Sequence, residues 1–239
     1  MNCDSRLIVA LDVHSMEKVK LLVEELGDYV SYYKIGMELF YSVGNQVVTY
    51  LRQQNKDIFL DLKLHDIPNT VGQGLATLTQ LGANMLNVHA AGGFLMMKAA
   101  AAAVKSKADE IQVQRPKLIA VTVLTSMSPE EWSTLGYHID LSQQVIRLAQ
   151  LAQEAGMDGV VASPQEAAQI QAACGKDFII VTPGIRPGGA AINDQSRIAT
   201  PAGALKNGAH YLVIGRPITA AANPRQAVEN ILREMREQA

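Results

Sequence analysis

The sequence predicts an α/β protein in which residues 1–239 form one domain, a (β/α)8 barrel of the TIM type. Short apolar segments of strand length alternate eight times with segments of helical pattern. The chain is close to the roughly 250 residues typical of such a barrel, and no linker separates a second domain. A doubly wound open sheet is the alternative. It usually has fewer strands, and the chain contains neither a Walker A sequence nor a GxGxxG turn after the first strand.

Eight segments have the composition of buried parallel strands. In chain order they are residues 6–11, 29–35, 57–63, 84–89, 117–124, 158–162, 177–182 and 210–214. Helices are predicted at 15–27, 40–54, 68–81, 93–107, 142–155, 163–174, 200–207 and from 223 onward, with an irregular segment around Trp132. Ser15 is placed to cap the first helix. Ser163-Pro164, Thr200-Pro201 and Asn223-Pro224 each combine a capping residue with proline at the first helical position.

The composition indicates a soluble globular protein with a substantial core, because 48% of the residues are hydrophobic and 18% are charged. The net charge of −2 gives no basic field, so nucleic acid is not expected as a partner. No apolar run reaches the roughly 18 residues that a membrane span needs, and no segment of the amino terminus resembles a signal peptide. Cys3 and Cys174 have neither metal-site nor disulfide-framework spacing. We therefore expect a cytoplasmic protein without a membrane partner.

Polar and charged residues collect where the predicted strands end, whereas the strand interiors are aliphatic. The carboxyl ends of the strands form the active site of a (β/α)8 barrel. The residues at these ends are Asp12, Lys34, Asp61, Lys63, His89, Thr125, Ser126, Ser163, Pro183, Gly215 and Arg216. For His89 we favour a hydrogen-bonded place at the barrel mouth over a catalytic role. The histidines have no metal-binding spacing, and no metal site is predicted.

The third strand, which reads Phe59-Leu-Asp-Leu-Lys-Leu, carries the most informative pattern. Alternate side chains of a strand point to opposite faces, so Asp61, Lys63 and His65 are predicted to share one face. An aspartate and a lysine placed there cost desolvation free energy unless they pair with each other or with a ligand. Asp66 follows as the chain leaves the strand. A purely structural ion pair is the alternative to a functional site.

The loops after the seventh and eighth strands are predicted to bind phosphate. They read Pro183-Gly-Ile-Arg-Pro-Gly-Gly189 and Gly215-Arg-Pro217. These two loops form the usual phosphate site of the barrel, where glycine lets backbone N–H groups approach an anion and arginine adds a bidentate charge. The segment 186–197 is a candidate lid, and Gln195 within it is placed to reach the ligand. A flexible turn with solvated arginines is the alternative.

The segment Asp61-Leu-Lys63-Leu-His-Asp66-Ile-Pro-Asn-Thr70 closely resembles the signature of the orotidine 5′-phosphate decarboxylase family in its bacterial form. The resemblance extends over essentially the whole chain. It includes Val-Ala-Leu-Asp12, Tyr33-Lys34-Ile-Gly36, Leu124-Thr-Ser126, Thr182-Pro-Gly-Ile-Arg186 and Gly215-Arg-Pro217. A wider barrel superfamily shares the D-x-K-x-x-D core. The resemblance to this particular family therefore depends on the additional matching segments.

This resemblance implies that the chain converts orotidine 5′-monophosphate into uridine 5′-monophosphate and CO2, the last step of de novo pyrimidine synthesis. It also implies a homodimer with shared active sites and a reaction that needs no metal or organic cofactor. The catalytic residues by this resemblance are Lys63, which protonates C6, Asp61 beside the departing carboxylate, Lys34, and Asp66 of the neighbouring subunit. Asp12, Lys34 and the partner's Thr70 would hold the ribose. Thr125, Ser126 and Pro183 would contact the nucleotide base, and Arg186, Gln195, Gly215 and Arg216 the phosphate.

Two other functions stay open. One is a magnesium-dependent sugar-phosphate decarboxylase or aldolase of the same superfamily. Such enzymes carry an acidic metal ligand at the end of the second strand, where this chain has Lys34, and a lysine there repels Mg²⁺. The other is a nucleotide-binding regulatory barrel without catalysis, for which Lys63 would be dispensable.

Overall fold

The structure, a computed structural model, describes residues 3–187 and 199–236. Its eight strands are all parallel and close into a barrel in chain order, β1 pairing with β8. They are β1 Leu7–Ala10, β2 Tyr32–Gly36, β3 Asp57–Leu64, β4 Met85–His89, β5 Lys117–Val121, β6 Gly159–Val161, β7 Ile179–Thr182 and β8 Tyr211–Ile214. The predicted (β/α)8 barrel is confirmed.

Helices follow the strands and cover the outside of the barrel. They are α1 Met16–Leu26, α2 Met37–Val43, α3 Gln46–Gln53, α4 Pro68–Gln80, α5 Gly93–Glu110, α6 Pro129–Thr134, α7 Leu141–Glu154, α8 Ala167–Cys174, α9 Pro201–Lys206, α10 Arg216–Thr219 and α11 Pro224–Arg236. Short 3₁₀ turns lie at Gly27–Tyr29 and Ala90–Gly92. Within the described part of the chain, no helix has the length and apolar character of a membrane span.

Three of the predicted helix starts have the expected capping bonds. The side-chain oxygens of Ser15, Thr200 and Asn223 accept from backbone N–H groups three residues ahead, at 3.4, 3.1 and 2.9 Å. The start expected at Ser163 differs. Its hydroxyl accepts from the N–H of Gln165 within a turn, and α8 begins only at Ala167.

The chain departs from the predicted helices in three other places. The single helix expected at 40–54 is two helices, because Gly44 takes a positive φ of 63° and ends α2. The segment around Trp132, expected to be irregular, contains α6, which Ser128 caps. The short helix α10 directly after β8 was not predicted.

The core has two layers, one between the sheet and the helices and one inside the barrel. The inner layer consists of Ile8, Ala10, Tyr32, Phe59, Met85, Ile119, Val181 and Val213. Because both faces of the strands are buried, these side chains fill the inside of the barrel.

The third strand is the irregular one. Its register with β4 shifts between Leu60 and Leu64, and Lys63 has a positive φ of 52°. The predicted alternation therefore ends at Lys63. Asp61 and Lys63 face the same cavity as expected, whereas His65 lies beyond the strand and is exposed.

Candidate active site

A cavity of about 280 Å³ opens at the carboxyl end of the barrel. Its base is made of small apolar side chains of the inner layer, among them Ala10, Val181 and Val213. Ten of the residues predicted for the site line it: Asp12, Lys34, Asp61, Lys63, Thr125, Ser126, Pro183, Arg186, Gly215 and Arg216. The strand ends thus bring together residues that are up to about 200 positions apart in the chain.

Four charged side chains form a row of alternating sign in this cavity. Nζ of Lys34 lies 2.9 Å from Oδ1 of Asp12 and 3.4 Å from Oδ2 of Asp61. Nζ of Lys63 lies 2.7 Å from Oδ1 of Asp61. Each lysine is therefore neutralised by a carboxylate, and the Asp61 carboxylate is shared between two ammonium groups. Three neighbouring strand ends, β1, β2 and β3, supply the row.

Lys34 is charged although it is almost completely buried. Burial lowers the pKa of its ammonium group, but the carboxylates of Asp61 and Asp12 raise it by more. The resulting pKa lies above the ordinary value of 10.5. The position between the first and third strand ends is therefore held by a permanent positive charge at neutral pH.

Asn87, in the middle of β4, belongs to this network and was missed from the sequence. It is 1% exposed. Its Nδ2 donates to Oδ1 of Asp61 at 2.7 Å, and its Oδ1 accepts from the backbone N–H of Lys63 at 2.8 Å. The signal in the sequence was a polar residue inside an otherwise apolar strand, since a buried amide needs partners.

His89, one of the strand-end candidates, does not line the cavity. Its ring lies 5.6 Å from that of His65, centroid to centroid. Burial lowers the pKa of His89, and electrostatic interaction with His65 and Lys63 lowers it further, with Asp61 acting in the opposite direction. Because its pKa lies below 6.5, His89 is neutral at pH 7 and adds no positive charge near Lys63.

The loops after β7 and β8 also line the cavity, and β8 lies beside β1, the strand that precedes Asp12. Arg186 is buried, its backbone N–H donates to the carbonyl of Ala199 at 2.9 Å, and its guanidinium donates to the carbonyl of Ile185 at 3.0 Å. A Cβ added at Gly215 would lie 3.4 Å from Oδ2 of Asp12, so the chain passes close to the acidic end of the row. Gln195 lies outside the described residues.

Two of the predicted residues are not in the cavity of their own chain. Asp66 and Thr70 are exposed at the start of α4. Oδ1 of Asp66 accepts from the backbone N–H of Ile67 at 2.7 Å. Neither side chain lines the space that contains Lys63.

Comparison with known proteins assigns the family. The model of the orotidine 5′-phosphate decarboxylase / HUMPS family matches residues 5–231. The chain belongs to this family. Among curated relatives, the orotidine 5′-phosphate decarboxylase of Carboxydothermus hydrogenoformans is 52% identical over 230 residues, which cover 96% of this chain and 95% of the relative. That of Trichlorobacter lovleyi is 48% identical over 231 residues, covering 97% and 95%.

A solved structure of this family has the same fold. The orotidine 5′-phosphate decarboxylase of Lactobacillus acidophilus superimposes with a TM-score of 0.86 at 41% identity, covering 98% of this chain and all of that one. A protein of Geobacillus kaustophilus described as uncharacterized and conserved superimposes with a TM-score of 0.84 at 39% identity, covering 96% and 99%.

The charged row does not have the donors of a magnesium site. Mg²⁺ takes oxygen ligands in octahedral geometry. Here the ammonium group of Lys34 lies between the carboxylates of Asp12 and Asp61, and that of Lys63 occupies the other side of Asp61. Over residues 3–187 and 199–236, no three His, Cys, Asp or Glu side chains are grouped as metal ligands. The residues present therefore do not fit a magnesium-dependent member of the superfamily.

Proposed function

We propose that this chain removes the carboxylate of orotidine 5′-monophosphate and releases uridine 5′-monophosphate and CO2, as the last step of de novo pyrimidine synthesis in the cytoplasm. The observation that carries the proposal is the alternating row of Asp12, Lys34, Asp61 and Lys63 in the cavity. The orotidine 5′-phosphate decarboxylases at about 50% identity over nearly the whole chain support it.

Lys63 is the proposed proton donor. In the reaction the bond between C6 and the carboxylate carbon breaks, and its electron pair stays on C6. The ammonium group of Lys63 transfers a proton to that carbon, and the resulting amine regains a proton from water. The proposal includes no cofactor that would accept the electron pair, so the fixed positive charge has to stabilise the carbanion. The 2.7 Å contact with Asp61 fixes this charge before the substrate binds.

One fixed charge does not account for the rate. At about 4 Å and an effective dielectric constant near 20, it is worth roughly 4 kcal/mol, whereas enzymes lower barriers by about 8–23 kcal/mol. We propose two additional contributions. Binding of the distant phosphate orients the base against Lys63. Repulsion between the Asp61 carboxylate and the substrate carboxylate is relieved as CO2 leaves.

The remaining cavity residues bind the rest of the nucleotide in this proposal. Asp12 and Lys34 hold the ribose hydroxyls. Thr125, Ser126 and Pro183 contact the base and its surroundings. Arg186, Gly215 and Arg216 bind the phosphate together with Gln195. The apolar base of the cavity, which includes Val181, suits the flat faces of a pyrimidine.

A second copy of the chain is proposed to complete each site. Lys63 lines both the cavity and an open groove formed with Met37, Tyr41, Leu62, Leu64, His65, Gly74, Thr77 and Leu78. Large apolar side chains are exposed in the groove, Tyr41 by 73% and Met37 by 45%, and at the start of α4, where Ile67 is exposed by 66%. A partner that covers them would bring its own Asp66 and Thr70 to the cavity. Burial of exposed apolar side chains by a second copy is typical of a dimer interface.

The magnesium-dependent sugar-phosphate enzyme is the alternative within the superfamily, and the position of Lys34 between two carboxylates argues against it. A regulatory barrel that only binds nucleotides is the alternative outside catalysis. It gives no reason to hold a second ammonium group, that of Lys63, beside Asp61 in the cavity.

The test is a spectrophotometric assay with purified, metal-stripped protein in excess EDTA. We expect the absorbance of orotidine 5′-monophosphate to decrease at the same rate with and without the chelator. Activity that requires added Mg²⁺ would contradict the cofactor-free mechanism. An intact substrate spectrum with bound nucleotide would favour the regulatory barrel.

A further inference from the structure

Asn87 lies at the position where the pairing register of β3 with β4 shifts. Leu60 pairs with Leu86, and the next pair is Leu64 with Val88. Between these pairs β3 has three residues, 61–63, and β4 has one, Asn87. Such a bulge interrupts the ladder of backbone hydrogen bonds and redirects side chains, here those of Asp61 and Lys63.

The side chain of Asn87 replaces the missing ladder bond. The backbone N–H of Lys63 donates to Oδ1 of Asn87 at 2.8 Å instead of to a strand carbonyl. Lys63 has φ of 52°, in the left-handed region that a side chain of this size rarely adopts. The hydrogen bond therefore holds the backbone of Lys63 in a conformation that its own sterics oppose.

The other end of the same amide holds Asp61. Nδ2 of Asn87 and Nζ of Lys63 both contact Oδ1 of Asp61, each at 2.7 Å. The orientation of the amide is unambiguous, because a backbone N–H can only donate and an ionised carboxylate can only accept. One buried side chain thus connects the backbone of Lys63 to the carboxylate that holds its ammonium group.

We propose that Asn87 is a positioning residue for the proton donor. It fixes the Lys63 backbone and the Asp61 carboxylate relative to each other, and so places the ammonium group where C6 of the substrate is protonated. This inference rests on the proposed function. Asn87 itself does not line the cavity, so its effect passes through Asp61 and Lys63.

The chain offers a matched control at the opposite end of the same two strands. Asn84 donates from Nδ2 to Oδ1 of Asp57 at 2.7 Å and accepts from the backbone N–H of Ile58 at 2.9 Å. From the position just before β4, it makes the same pair of bonds to β3, but at the amino end of the barrel and outside the cavity. Asn84 differs from Asn87 in being exposed.

The experiment compares kcat and KM for orotidine 5′-monophosphate in wild type, Asn87→Leu and Asn84→Leu. Asn87→Leu should lower kcat by about 10- to 100-fold, the value of a hydrogen bond to a charged group, and change KM less than about threefold. Asn84→Leu should leave kcat within about threefold of wild type, because its bonds are remote from the site. Equal losses of kcat in the two variants, or an unchanged kcat in Asn87→Leu, would overturn the proposal.

A second variant provides a pH signature that a purely structural role does not predict. Asn87→Asp keeps the acceptor for the Lys63 N–H but places a carboxyl group against Asp61. The like charge raises the pKa of the introduced carboxyl, and its protonated form can donate to Asp61 as the amide did. The kcat of Asn87→Asp relative to wild type should therefore rise as the pH falls from about 8 to about 5.5, while that of Asn87→Leu stays flat. A ratio independent of pH for Asn87→Asp would contradict the proposal.

Thermal unfolding of each variant distinguishes a loss of folding from a displacement of the Lys63 ammonium group in a folded protein. If Asn87→Leu does not fold, the proposal is tested by the pH dependence of kcat in Asn87→Asp. A wild-type chain that leaves orotidine 5′-monophosphate intact overturns the proposed function and this inference with it. An active wild type with an equally active Asn87→Leu overturns the inference alone.

Discussion

The ammonium group of Lys63 lies 2.7 Å from Oδ1 of Asp61, a residue of its own strand two positions earlier. In a regular strand, side chains at i and i+2 point the same way but stand apart along the strand. The positive φ of Lys63 and the bulge against β4 change that spacing and bring the two charges into contact. The pair is thus a consequence of local backbone geometry.

Removal of the ammonium group tests its role directly. Lys63→Ala should lower kcat by more than about 10⁴-fold, because both the charge beside the carbanion and the proton donor are lost. Binding of uridine 5′-monophosphate, measured by calorimetry, should be partly retained, since the proposed ribose and phosphate contacts remain. Lys20→Ala, on the exposed side of α1, serves as the control and should have wild-type kinetics. Substantial turnover by Lys63→Ala would show that another group protonates C6.

Replacing Asp61 by a neutral residue tests whether repulsion between its carboxylate and the substrate carboxylate contributes to the rate. Asp61→Asn keeps an oxygen that can accept from Asn87 and Lys63 but removes the charge that would face the substrate carboxylate. The single-turnover rate should fall, by up to about 10³-fold if the full value of one charge at contact is lost. Rapid-quench measurement of CO2 release gives the rate of the chemical step. A rate close to wild type would mean that repulsion by Asp61 is dispensable.

The order of the strands and much of the polar lining of the cavity could be predicted from the sequence, because each strand has its own apolar run and several end in polar residues. Lys34 is an example, because a lysine near the end of a buried strand needs a carboxylate partner or a ligand. The conformation of Lys63 could not be predicted, because alternation implies an extended strand and only tertiary contacts stabilise a left-handed lysine. Asn87 was missed for a related reason, since its partners lie 24 and 26 positions away.

A shared site predicts complementation between inactive chains. If Asp66 of the partner subunit serves the site that contains Lys63, a mixture of Asp66→Ala and Lys63→Ala chains should recover about a quarter of the wild-type sites. At random assortment half of the dimers are hybrids, and each hybrid has one intact site of two. The measurement is activity after denaturation and refolding of the mixture.

The control for complementation is a mixture of Lys63→Ala and Arg216→Ala chains. Both residues line the cavity of their own chain, so no hybrid has an intact site and activity should stay at the level of the separate variants. Absence of recovery in the Asp66→Ala mixture would argue that each chain forms its site alone.

Gly36 packs closely against the side chains of Lys34 and Asp12. A Cβ at Gly36 would lie 3.0 Å from Nζ of Lys34 and 3.4 Å from Oδ1 of Asp12. Gly36→Ala should therefore displace the ammonium group by a few tenths of an ångström and lower kcat/KM by about 3- to 10-fold, because small displacements of positioning groups are costly. Gly203→Ala has an equally close contact, 3.0 Å to Oγ1 of Thr200, but lies in α9 outside the cavity, and should have wild-type kinetics. Because Lys34 and Asp12 are proposed to hold the ribose, the loss in Gly36→Ala should be mainly in KM. A loss confined to kcat would instead place the effect on Asp61, the other carboxylate that Lys34 contacts.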